Sequence, residues 1–155
     1  MLTGGACAGI YSGGLYSSND ADFVLEGRVE LSKLDSVMAT LGFSRSGNRY
    51  VHAESPFWVE FPRGPVGVGG DLEIRPVPIG SSDRTTLALS ATDSCRDRLA
   101  AFFHWSDRQS LRVAVEIAHR NEVDLARIRR WSRSEGHQAR YAEFERELER
   151  RGRDG

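Results

Sequence analysis

Two hydrophobic patterns divide the chain. Up to about residue 90, apolar residues come in short runs broken by Gly and Pro; beyond it they recur every three or four positions. In the later part, Leu99, Phe102 and Phe103 mark one helical face, with Thr92 or Asp93 as the expected cap. Ser106 followed by Gln109 reads as a capping box opening a helix with Leu111, Ala114, Val115 and Ala118 inward. Asp124 is the expected cap of a third helix carrying Leu125, Ile128 and Trp131 and ended by Gly136. A fourth is expected from His137 to Arg151, with Tyr141, Phe144 and Leu148 on one face.

The first part predicts strands, turns and one helix. Ala21 to Leu25 reads as a strand running toward Gly27. Val29 to Leu41 reads as a helix, because Leu31, Leu34, Val37, Met38 and Leu41 recur at helical spacing and Gly42 is a natural stop. Arg49–His52 and Phe57–Phe61 flank the turn 53–56. Leu72–Val77 and Thr85–Leu89 are two more expected strands, and 63–70 reads as a loop. The fold class is therefore α/β (α+β): a mixed sheet with helices over residues 1–90, a helical bundle packed on it over 91–151, and a frayed tail at 152–155.

Composition narrows the function classes. Of 155 residues, 39% are hydrophobic, enough for one real core. Two cysteines, Cys7 and Cys95, exclude a disulfide scaffold and a four-cysteine zinc site, and both read as small buried apolar residues. A net charge of −1 excludes a general nucleic-acid sponge. Twenty of the 21 basic residues are Arg, which reads first as a genomic codon bias and second as phosphate-reading chemistry. No apolar stretch approaches the ~20 residues that span a bilayer, and the start carries no basic leader, so a cytoplasmic protein without membrane association is expected.

The candidate chemistry lies near the start. Asp20 and Asp22 alternate with apolar Ala21, Phe23 and Val24, so on a strand both carboxylates share one side. Paired acids on a half-buried strand repel each other, and a hard divalent cation such as Mg²⁺ would relieve them. Gly4-Gly5 precedes a segment able to form one or two helical turns. There, the absence of a Cβ lets a phosphate approach backbone N–H groups at a helix start. Ser18 adds a hydroxyl beside the acids. A polar edge strand with solvated acids, and a plain turn at the glycines, are the bland alternatives.

In this order and spacing, Gly4-Gly5 and Asp20-x-Asp22 resemble the signature of the polymerase-β-type nucleotidyltransferases. Glu60, in the apolar frame Phe57-Trp58-Val59-Glu60-Phe61, matches that superfamily's third carboxylate. The segments 92–105 and 107–109, with Trp131-Ser132 and Glu135-Gly136, are similar to an uncharacterised prokaryotic branch related to nucleotidyltransferases of toxin–antitoxin systems. The resemblance implies two Mg²⁺ ions held by Asp20, Asp22 and Glu60. It implies a nucleoside triphosphate cradled by Gly4, Gly5 and Ser18, and transfer of its nucleotide to a hydroxyl on RNA, a partner protein or a small molecule. Two departures accompany it. Many relatives carry an Arg where this chain has Tyr16, and they place a helix ahead of the glycine-bearing strand, whereas only three residues precede Gly4 here. Both favour an alternative, a catalytically inactive interaction module of a toxin–antitoxin type system.

The remaining polar residues carry weaker expectations. Arg98 and His104 resemble a short helical-ribonuclease motif, but a spacing of six does not align them on one face. An Arg paired with Asp97 or Asp93 and a helix-end His are preferred. His52 and His119 read as surface residues, Trp58, Trp105 and Trp131 as core or interhelical packing, and the mixed charges of the last helix as a solvated face.

Overall fold

The computed structural model describes residues 1–153. Seven strands form one mixed sheet: β1 (Leu2–Thr3), β2 (Asp20–Phe23), β3 (Phe43–Ser46), β4 (Arg49–His52), β5 (Trp58–Glu60), β6 (Val77–Ser81) and β7 (Arg84–Ala88). The sheet order is β3-β4-β5-β2-β1-β7-β6. β2 with β5 and β1 with β7 are the parallel pairs; the rest are antiparallel. Six helices complete the α+β architecture: α1 (Gly4–Tyr11), α2 (Leu31–Thr40), α3 (Ala91–Trp105), α4 (Arg108–Arg120), α5 (Leu125–Ser134) and α6 (Gln138–Arg153). None of the described helices is long and apolar enough to cross a membrane.

The helical spacing of the later part becomes the main core. Leu99 and Phe103 of α3, Leu111, Ala114 and Ile117 of α4, Ile128 and Trp131 of α5, and Tyr141 and Phe144 of α6 are buried together. Ala8 of α1 and Val68 of the loop before β6 enter the same cluster, so that core draws on both parts of the chain. A smaller cluster of Leu2, Cys7, Ala88 and Leu89 seats α1 against the parallel pair β1 and β7. Both cysteines are fully buried and free, and burial pushes the Cys7 thiol up to about 11.

Several boundaries differ from the sequence expectations. Ser90, not Thr92 or Asp93, caps α3, accepting from the Asp93 backbone N–H at 3.0 Å. Asp107, not Ser106, caps α4, accepting from the N–H groups of Gln109 and Ser110 at 2.9 and 3.2 Å; Ser106 instead ends α3 in the left-handed region. Asp124 caps α5 as expected. A hairpin of β3 with β4 precedes the expected β4–β5 pairing. The strand expected at 72–77 lies instead at 77–81. That strand pairs only with β7, an edge position where Pro78 costs no ladder bond. The last helix runs on through Gly152 to Arg153, two residues beyond the end the sequence predicts at Arg151; residues 154–155 of the expected frayed tail lie outside the described residues.

Candidate functional site

The acids owe their placement to the parallel pairing of β2 with β5. Asp20 lies opposite Trp58, and Asp22 opposite Glu60. Partners in a parallel ladder point the same way, as do residues two apart on one strand. Asp20, Asp22 and Glu60 therefore share one sheet face, each half-buried. None of the three forms an ion pair among the described residues. Burial, followed by the charges of Asp20, Glu60 and Asp97, raises the Asp22 carboxyl above the usual carboxylate range, while Arg98 pulls it down.

The glycine pair is built against these acids. β1 runs antiparallel to β2 with Thr3 opposite Asp22, and the chain turns directly into α1 at Gly4, where φ is +62°. A Cβ at Gly4 would stand 2.8 Å from Oδ2 of Asp22. A Cβ at Gly5 would stand 2.6 Å from Oγ of Ser18 and 2.8 Å from the Tyr16 ring. A side chain at Gly4 would therefore displace the Asp22 carboxylate and strain the positive φ, and one at Gly5 would displace Ser18 and Tyr16. Thr3, at the N-cap of α1, makes no side-chain cap bond, so its hydroxyl leaves the first N–H groups of the helix to other acceptors. Ser18 donates its hydroxyl to Oδ1 of Asp20.

Helix α3 closes the far side. Asp97 and Asp22 line one cavity of about 350 Å³ with Gly4, Arg63 and Val66. Arg98 binds Asp97 at 2.6 Å and lies 5.7 Å over the Tyr16 ring. The sequence pairs Arg98 with Asp97 but brings neither of them, nor Arg63, to the acids, because they come from a helix and a loop remote in sequence and no local spacing marks their approach. The 62–76 loop that supplies Arg63 and Val66 is clamped from the helices. The fully buried Arg96 binds Asp71 at 2.6 Å and Asp93 at 2.7 Å, Trp131 donates its indole N–H to the Val68 carbonyl at 3.2 Å, and Glu135 accepts from the Gly70 N–H at 2.9 Å.

The donor set fits Mg²⁺ in one particular way. Among the described residues, no three His, Cys, Asp or Glu side chains gather closely enough to form a metal shell by themselves. Asp20 is turned to Ser18 and Asp22 lies against Gly4, so the face is shared without full convergence of the oxygens. Mg²⁺ commonly takes only one or two carboxylates and fills its octahedron with water and substrate phosphate. Oxygen-only side chains, with a carboxyl whose ionisation burial and its acidic neighbours oppose, suit a largely hydrated ion. They do not suit a preformed protein cage.

Other expectations resolve simply. Arg98 pairs with Asp97, and His104 is exposed at the end of α3, where its ring meets Trp105 and His137 edge-on. Trp131 stacks on Phe103 in the core, but Trp105 is 77% exposed and is not packing, because it falls in the last turn of α3, beyond the helices that cover Phe103. His119 is exposed, whereas His52 packs on Phe43.

No protein-family model, curated protein or solved structure matches this chain.

Proposed function

We propose that the chain is a Mg²⁺-dependent nucleotidyltransferase that moves a nucleotide from a nucleoside triphosphate to a hydroxyl acceptor. The observation that carries this reading is the register of Asp22 with Glu60, on the sheet face where a Cβ at Gly4 would stand 2.8 Å from the Asp22 carboxylate. Two bound Mg²⁺ ions would supply activation of the acceptor hydroxyl and neutralisation of the leaving pyrophosphate. Asp20, Asp22 and Glu60 would hold them.

The protein's own groups do the rest. Gly4 and Gly5 admit phosphate to the first N–H groups of α1. The Ser18 hydroxyl, now donated to Asp20, turns to a phosphate oxygen. Arg98, over the Tyr16 ring, brings a guanidinium to the place where Tyr16 itself offers no charge. The acceptor is a hydroxyl on RNA, a protein or a small molecule, and the setting is the triphosphate-rich cytoplasm.

The test is transfer of label from each of the four α-labelled ribonucleoside triphosphates to cellular RNA, protein and metabolite fractions. Wild type should label one fraction and Asp22→Asn none. Unlabelled fractions with all four, from a folded protein, would overturn the reading.

A second reading, a non-catalytic interaction module of a toxin–antitoxin type, draws on α2. Only Met38 of that helix is buried, while Leu31 and Val37 in it and Leu41 at its end are 51%, 52% and 62% exposed. On this reading Val37→Asp would abolish partner binding, and Asp20→Ala with Asp22→Ala would leave it intact.

A further inference from the structure

A second charged cavity, of about 380 Å³, lies away from the acids, between α4 and α6 under the loop that joins α1 to β2. Its walls carry four guanidinium groups, Arg108 and Arg112 from α4 and Arg150 and Arg151 from α6, against two carboxylates, Glu116 and Glu147. Arg108 and Arg112 are one helical turn apart and so face the same way. Its remaining lining is aliphatic: Leu15, Leu111 and Val115.

The arginines are not equivalent. Glu116 is buried and binds Arg151 at 3.0 Å while also accepting from Arg120, so it fixes the orientation of Arg151. Arg108 and Arg150 pair with Glu143 and Glu147, but both arginines are more than half exposed and can exchange those carboxylates for a better anion. Arg112 is exposed and has no ion-pair partner among the described residues. Guanidinium forks match phosphate oxygens in pairs. A phosphate monoester, carrying up to two charges, answers the excess of two guanidiniums over carboxylates. Leu15, more than half exposed, offers the uncharged surface for a flat body above the buried Leu111 and Val115, and the volume lies within the range that holds small ligands.

We propose that this cavity is a binding site for a phosphorylated nucleoside, with the phosphate on Arg108, Arg112 and Arg150 and the nucleoside against the exposed Leu15, over a floor closed by the edges of the buried Leu111 and Val115. The site is separate from the Asp22 face and needs no Mg²⁺. The ligand comes either as a free mononucleotide or as the phosphorylated end of a strand, since both present the same chemistry.

The test measures binding in EDTA, where the metal-dependent site is silent. The probes are AMP, adenosine, and a fluorescent tetraadenylate with and without a 5′-phosphate. AMP or the 5′-phosphorylated strand should bind at least ten times more tightly than its unphosphorylated counterpart, with affinity falling as salt rises. Binding of AMP alone identifies the free nucleotide, and binding of the strand alone identifies a strand end. Arg112→Glu with Arg150→Glu should weaken binding at least tenfold, and Asp22→Asn should leave it unchanged. The proposal fails if neither phosphorylated probe binds at millimolar concentration, or if adenosine binds as well as AMP. It also fails if the double variant binds like wild type, or if Asp22→Asn abolishes binding. None of these results bears on nucleotide transfer, which is assayed with Mg²⁺.

Discussion

Asp22 and Glu60 are direct partners across the parallel pairing of β2 with β5, two carboxylates side by side on one sheet face with no basic side chain ion-paired to either among the described residues. Burial first, and the neighbouring acids second, raise the Asp22 carboxyl above its ordinary value of 3.8. A carboxyl raised on folding stabilises the protein while protonated, and that contribution is lost as pH rises through the raised value. Ionised Asp22 therefore weakens the metal-free fold at neutral pH. Asp22→Asn should unfold at higher urea than wild type at pH 7 in EDTA, and the gap should narrow as pH falls toward 4. An equal or lower midpoint for the variant at pH 7 would contradict this electrostatic picture.

Gly4 and Gly14 separate backbone strain from site geometry. Both have positive φ, +62° and +84°, so alanine strains either by about 1–2 kcal/mol. A Cβ at Gly14 meets nothing within 4 Å, whereas one at Gly4 stands 2.8 Å from Oδ2 of Asp22. Gly4→Ala should therefore lower nucleotide transfer by roughly 100-fold, the scale on which loss of one electrostatic contact acts. Gly14→Ala should leave transfer within about twofold while losing similar stability. Transfer rates and thermal melts of the two variants check this.

The helices were legible because their signals are local. Leu111, Ala114 and Val115 repeat at helical spacing, and Asp124 announces α5 by its own side chain. The caps at Ser90 and Asp107 were missed by one to three residues because Thr92, Asp93 and Ser106 are equally good capping types, and only the backbone angles choose between them. β3 was not legible. Its Ser44, Arg45 and Ser46 are exposed, so no alternation shows, and only the Gly47 turn marks the hairpin. The shared face of Asp20 and Asp22 followed from strand period, but the pairing of Asp22 with Glu60 and the approach of Asp97 and Arg98 depend on tertiary packing. The incomplete convergence of the acids was likewise invisible, because the turn of Asp20 toward Ser18 is a choice of side-chain rotamer.

Arg96 links the core to the wall of the site. It is fully buried, binds Asp71 and Asp93, and lies 4.9 Å over the Trp131 ring. Arg96→Met keeps the volume but leaves the buried Asp93 with only the 3.1 Å contact to Arg127 as a salt bridge. Breaking a buried pair from one side costs about 3–5 kcal/mol, so the variant should melt roughly 6–20 °C lower. Asp93→Asn added to Arg96→Met should restore part of that loss. A Tm unchanged by Arg96→Met would show that the 62–76 loop is not held through this residue.

Calorimetric titration of the protein with each Mg²⁺–ribonucleoside triphosphate tests the shared carboxylate face most directly. Saturable heat with at least one triphosphate, abolished by EDTA and by Asp22→Asn, is the predicted result. Absence of heat with all four, or heat that persists unchanged in both Asp22→Asn and Glu60→Gln, would contradict it.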